Sequence, residues 1–343
     1  MVNGFEITRG ADVFSKLQRH RKTYHDKGKY LGWDSLHKHY SMQLGSVTDW
    51  TGYPMSGKTQ VLMEMLLNTA MWYGWRHLVY FPDVGNNVEI IADLIHKKTG
   101  KCFDPEKENV ITDAELGQEL EWITYHFKVL TKKEVKAKMT PFEFWDLAVK
   151  IKKEDGLETA SIDAWKDLSH PYKEFGGYAQ YLEEALPYRN QIAEDNKLHL
   201  HTIIHPKSPI KENGKFKPPV PYDLKGGSEW FNSGKNMITI HRPDIMDNLV
   251  QIMFNKIKPR AIGNIGNVEF RFDVGRFTYY EQDNPSPNIY TKNYASPQDE
   301  ENKEETKLEN QIKPNTAFEN SVEHARNTQE DWMDKPPENE ILF

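Results

Sequence analysis

Hydrophobic positions along the chain fall into short apolar runs separated by longer stretches of helical period, and the two kinds alternate from residue 45 onward. SVTDWTG (46–52) ends a strand, and QVLMEMLLNTAMWYG (60–74) predicts a long helix rich in core residues. HLVYF (77–81) is a compact buried-strand run, followed by the helical stretch VEIIADLIHKKTG, whose Gly100 sits where a helix C-cap belongs. Thr112 with Glu115, and Thr140 with Glu143 behind Pro141, form capping-box patterns that open two more helices. LETASID (157–163) and LHLHTIIHP (198–206) predict two further strands, on either side of a helix over 174–197 interrupted at Pro187. NMITIHR, LVQIMFNKIK, VEFRFD and RFTYYE close the patterned region as four β-rich segments. This order predicts an α/β fold with a mostly parallel central sheet flanked by helices, extended at one edge by antiparallel strands.

The flanks differ. Residues 1–44 are polar, and the segment from Lys16 to Lys29 carries six Lys and Arg against one Asp. It reads either as a short basic linker helix over 11–24 or as a solvated face. Beyond Gln282 the composition turns to Asn, Pro, Glu and Lys, which predicts a disordered acidic tail over 283–343. The expected organisation is therefore a basic segment (1–44), an α/β domain (45–282) and a tail (283–343).

Composition changes this picture in two places. The net charge of −7 argues against a nucleic-acid partner only while it is treated as uniform. Residues 285–343 hold thirteen acids and six bases, so they account for the whole excess and the body is neutral. The single cysteine, Cys102, excludes an internal disulfide and a four-cysteine zinc module, and points to a reducing compartment. With no apolar leader at the start and no run of about 18 apolar residues, a soluble cytoplasmic protein with no membrane partner is expected.

The chemistry is carried by GYPMSGKT: Gly52, Tyr53, Pro54, Met55, Ser56, Gly57, Lys58 and Thr59, followed by Gln60. It matches the phosphate-loop pattern at each fixed position, between a strand and a helix. Backbone N–H groups of such a loop wrap phosphates, the following helix presents its positive end, the lysine neutralises the outer phosphates, and the Thr hydroxyl binds Mg²⁺. ATP and Mg²⁺ are the expected ligands. A hydrolase also needs a metal-side carboxylate and a second acid to orient water. Asp163, ending LETASID, suits the first role, and Asp83, in YFPDV, the second, although Pro-Asp after a strand is also an ordinary turn. His205, at the end of another strand, is a candidate sensor of the outermost phosphate. It opens a stretch over 207–225 with five lysines (Lys207, Lys211, Lys215, Lys217, Lys225) against two acids. That stretch is either a solvated excursion or a loop that tracks DNA phosphates without reading sequence.

Several separated segments together resemble the RecA-type motor domain of DnaB/Twinkle-like replicative helicases, above all the helicase half of phage and bacterial toprim primase–helicases. They are WDSLHKHYSMQLGSVTDWTGYPMSGKT (33–59), YFPD (80–83), SIDAW (161–165), IIHPK (203–207), YDLKGGSEWFNSGKNMITIHR (222–242) and KIKPRAIGNIGNVEFRF (256–272). The resemblance spans residues 30–281 and makes 45–282 the ATPase and helicase domain. It implies an ATP-driven homohexameric ring on single-stranded DNA at a replication fork, with Asp163 as the Walker B acid and His205 as phosphate sensor. Gly226 and Gly227 would join the lysine loop in the central channel. It also implies a K-x-R finger reaching the neighbouring subunit's ATP, either Lys256 with Lys258 or Lys258 with Arg260; the planar guanidinium favours Arg260. Asp83 stands where relatives carry a Glu, which implies slower hydrolysis or a different acid. No primase is expected within the chain. The tip Ile341, Leu342, Phe343 behind acidic residues resembles the docking tails of replication proteins, against the plainer reading of a solubilising tail. The rival functions are a RecA/RadA-like recombination ATPase and a nucleotide-gated loading or regulatory ATPase.

Overall fold

All six residues of β1 (Ser46–Thr51) are buried, which fits a strand covered on both faces. The computed structural model describes residues 13–15, 17, 18, 21, 28–134, 136–207, 211, 212 and 215–281. β1 shares a sheet with β2 (His77–Tyr80), β3 (Phe127–Val129), β4 (Thr159–Asp163) and β5 (His199–Ile204). A separate two-stranded ladder, β6 (Lys211–Glu212) with β7 (Lys215–Phe216), lies within the lysine-rich segment. The main sheet then resumes with β8 (Asn236–His241), β9 (Leu249–Lys256), β10 (Gly266–Asp273) and β11 (Thr278–Glu281). Its nine strands follow the order β11-β10-β9-β8-β1-β5-β4-β2-β3.

The α/β expectation holds, with one refinement. β8 pairs parallel with β1, so only β9, β10 and β11 are antiparallel. Side chains alternate across the strands. Trp50, Ile203 and Ile238 face one apolar cluster with the helices Lys58–Tyr73 and Asn87–Thr99. Val47, Ile162 and Leu200 face a second cluster with the helices Pro141–Asp155 and Tyr178–Asn196. The result is helix on both sides of a sheet.

Both capping boxes form, on Thr112 and on Thr140, and Gly100 caps its helix in the left-handed conformation. The expected break at Pro187 does not occur: the helix Tyr178–Asn196 runs through it. Pro187 and Glu183 both lie on the exposed side, so the carbonyl that loses its partner is left to water. Packing also begins upstream of Gly45. Trp33, Leu36, Tyr40 and Met42 are buried in the first cluster. The Ser41 N–H donates to the Ile262 carbonyl at 2.9 Å, and the Trp33 indole N–H donates to the Tyr279 carbonyl at 3.1 Å. Most of the basic stretch over 11–24, and the tail with Ile341, Leu342 and Phe343, lie outside the described residues. Among the described residues no helix is long and apolar enough to cross a membrane.

Candidate active site at the carboxyl edge of the sheet

β1 delivers the chain to residues 52–57, which turn back into the helix Lys58–Tyr73. Gly52 lies at φ 154° and has no room for a side chain, because the Ile240 carbonyl and the Ser56 hydroxyl crowd its Cβ direction. Met55 (φ 63°) and Gly57 (φ 90°) are left-handed, the kind of backbone that suits a phosphate-cradling turn, and the Ser56 N–H closes the turn on the Tyr53 carbonyl at 3.2 Å. The Tyr279 hydroxyl of β11 donates to the Gly57 carbonyl at 3.4 Å, and the Tyr279 N–H donates to both oxygens of Glu64 at 3.0 and 3.1 Å. Glu64, on the loop's own helix, pairs with the fully buried Lys97 at 3.4 Å. The last strand thus braces the loop.

Lys58 is buried, and its ammonium donates to the Tyr53 carbonyl at 2.9 Å. Burial lowers its pKa against the pull of Asp163 and Asp83, so it is a cation short of compensating charge. Ser56 Oγ is buried with no hydrogen-bond partner. The Thr59 hydroxyl donates to Asp163, and burial raises that carboxyl to about 6. An underpaired ammonium, an orphan hydroxyl and a hydroxyl–carboxylate pair fit a phosphate chain with a hard cation. Gln60 turns away and donates to Asp93 at 3.0 Å.

β2, β4 and β5 end side by side, and Asp83, Asp163 and His205 present ligand atoms within 4.8 Å of one another. His205 Nε2 lies 3.7 Å from Asp83. Burial, with Lys58 and Lys166, keeps the His205 imidazole below its ordinary pKa. Two residues that the sequence reading passed over complete the cluster. The Lys166 ammonium donates to Asp83 at 3.0 Å and to both oxygens of Asp167 at 3.0 and 3.1 Å. Burial works against that charge, but the bonds to Asp167 and Asp83 carry its pKa above the ordinary value. Beside the loop lies a cleft of about 510 Å³, walled by Tyr53, Pro54, Met55, Phe216, Arg242 and Ile245. The rings of Tyr53 and Phe216 are 5.8 Å apart.

A scan against protein-family models finds no match. A Twinkle homologue of chloroplasts and mitochondria from Arabidopsis thaliana is 25% identical over 280 residues, 76% of this chain and 38% of the relative. Among solved structures, an isolated ATPase domain superposes with a TM-score of 0.65 at 14% identity, over 80% of this chain and 99% of that one. A DnaB-like replicative helicase, solved to show its interactions with primase, gives a TM-score of 0.62 at 14% identity, over 80% and 67% of the two chains. The chain is similar in sequence to a Twinkle homologue and in fold to DnaB-like ATPase domains. Its fold is RecA-like, and the chain spans about 38% of the length of the curated relative it matches.

Within this RecA-like fold the remaining candidates are spread out. An isolated bridge between Pro206 and Leu224, with the Lys207 N–H donating to the Asp223 carbonyl at 2.9 Å, ties the base of the lysine loop. Lys207 and Lys217 are exposed. Lys211 and Lys215 lie on the two-stranded ladder. The Lys225 ammonium sits over the Tyr178 ring at 4.4 Å. Gly226 and Gly227 answer to packing: a Cβ would meet Leu182 at 2.6 Å on the first and the Pro221 carbonyl at 2.6 Å on the second. Lys258 and Arg260 are exposed just beyond β9, which runs antiparallel to β8. They therefore lie at the opposite sheet edge from the phosphate loop, one strand length of roughly 16 Å away.

Proposed function

We propose that this chain is the motor of an ATP-dependent DNA helicase that moves along single-stranded DNA as a homo-oligomeric, hexameric ring in the cytoplasm. The observation that carries this reading is the double position of His205. It touches the carboxylate cluster through Asp83, 3.7 Å away, and it opens the tied lysine loop. One residue thus links a phosphate site to a cationic element suited to a polyanion.

In this reading the loop amides and Lys58 bind the β- and γ-phosphates of ATP, and Tyr53, Phe216 and Ile245 offer the nucleoside its apolar walls. Thr59 and Asp163 would hold Mg²⁺, which supplies charge neutralisation on the phosphates. Asp83 orients the attacking water. His205 reports the outermost phosphate to Lys207, Lys211, Lys215 and Lys217. Arg260 is too distant to serve its own site and acts in the neighbour's, as in a ring whose sites are completed between subunits. The tail tip docks a replication protein.

ATP hydrolysis measured with and without single-stranded DNA tests this. Wild type is expected to be stimulated by DNA and Lys58→Ala to be inactive. Wild-type hydrolysis indifferent to DNA would overturn the helicase reading. Mixing inactive Lys58→Ala with inactive Arg260→Ala is expected to restore part of the activity, because a mixed ring contains sites with both residues intact. No restoration from variants that still assemble would remove Arg260 from the neighbour's site.

A further inference from the structure

A second pocket, of about 480 Å³, opens at the same sheet edge beyond β2, β3 and β4. Its rim carries Lys132, Lys133 and Lys138, its floor Leu130, Met139 and Leu168. The segment TKKEVKAK (131–138) holds four lysines and one glutamate. The three rim lysines are exposed, and none pairs with an acid among the described residues. Of the two acids in the lining, Glu134 is exposed, while Asp167 is already engaged by Lys166 and by the Ala164 N–H at 3.1 Å. A cationic rim above an apolar floor is complementary to a nucleotide unit, with phosphate on the ammonium groups and base on the floor.

We propose that this pocket is a second contact for single-stranded nucleic acid and seats one nucleotide unit of the strand. The assignment rests on the helicase reading above. A strand is favoured over a free nucleotide by position. In the order β5-β4-β2-β3 the pocket spans the ends of β4, β2 and β3, so its far wall lies three strands from the exit of the lysine loop, about 14 Å at the usual strand spacing. Asp83 and Lys166 stand between the two. Asp167 belongs both to the pocket wall and to the Lys166–Asp83 chain of ion pairs, so a strand seated here reaches the carboxylate cluster through two side chains.

The test is a salt series of binding to a short fluorescent oligothymidylate, with wild type, a Lys132→Ala/Lys133→Ala/Lys138→Ala variant and the matching triple Arg variant. The Ala variant is expected to bind more weakly and to lose about 0.7 to 1.4 from the slope of log K against log salt, for the one or two phosphates that flank a single nucleotide unit at ~0.7 each. The Arg variant is expected to keep the wild-type slope, and all three proteins the same ATP affinity and Tm. Wild-type slope and affinity in the Ala variant would overturn the pocket assignment. So would saturable binding of dTMP to Lys58→Ala protein that the triple Ala change abolishes while oligothymidylate binding is untouched. Wild type that does not bind oligothymidylate at all would overturn the helicase reading itself.

Discussion

Asp83 is a short carboxylate held by Lys166 at 3.0 Å and faced by His205 at 3.7 Å. A side chain one methylene shorter than Glu has less reach, so its direction matters more, and Lys166 fixes that direction. Lys166→Ala is expected to lower kcat for ATP hydrolysis about tenfold, while nucleotide affinity stays within about a factor of two. An unchanged kcat in steady-state assays would show that Lys166 does not position Asp83. Lys58, Thr59 and Asp163 were readable in the sequence because the loop pattern has fixed spacing and a strand end marks the acid. Lys166 and Asp167 were not, because their meaning depends on the turn after β4, which brings Lys166 onto a residue 83 positions away.

At the scale of elements, the helix Tyr178–Asn196 is fastened to β1 by one buried ion pair. The Arg189 guanidinium bonds both oxygens of Asp49 and the Thr202 hydroxyl, with no exposure of either charged side chain. It also faces the Trp230 ring at 5.5 Å. Arg189→Met leaves an uncompensated carboxylate inside the sheet, and is expected to destabilise the fold by about 3–5 kcal/mol in denaturant unfolding. A loss under about 1 kcal/mol would mean that water reaches Asp49. Neither partner announced itself in the sequence: Asp49 interrupts an apolar strand pattern, and Arg189 follows a proline that suggested a helix break. The same limit explains β8. Its apolar run was visible, but periodicity carries no information on which neighbour a strand pairs with, so its parallel match to β1 came only from the fold.

At the scale of the whole molecule, three buried histidines set an acid limit. His77 lies on β2, with His199 and His201 on β5, and burial is the largest cause lowering all three pKa values, to about 3 and about 4 for the first two. Their ring nitrogens serve as neutral partners: the His199 Nδ1–H donates to the Gln43 carbonyl at 2.7 Å, and the Trp50 indole donates to His201 at 3.2 Å. Between those values and the ordinary value of 6.5, the unfolded chain binds protons that the folded chain refuses. Stability is therefore complete above about pH 6.5 and falls as acid is added, by roughly 2 kcal/mol per histidine at pH 5. Tm is expected to hold from about pH 7.5 to about pH 6.5 and to drop from there to about pH 5; a flat profile over the whole range would require the folded chain to accommodate charged imidazoles.

The contact between Tyr279 and the phosphate loop has a consequence for biosynthesis. The loop is made early, at residues 52–59, yet its helix receives the backbone bonds that brace it from β11, the final strand of the sheet. On the ribosome the candidate site stays unbraced until β11 has emerged. A chain arrested before residue 278 carries Gly52 to Thr59, Asp83, Asp163 and His205 and still lacks the brace, so the candidate site is completed only once β11 has been made.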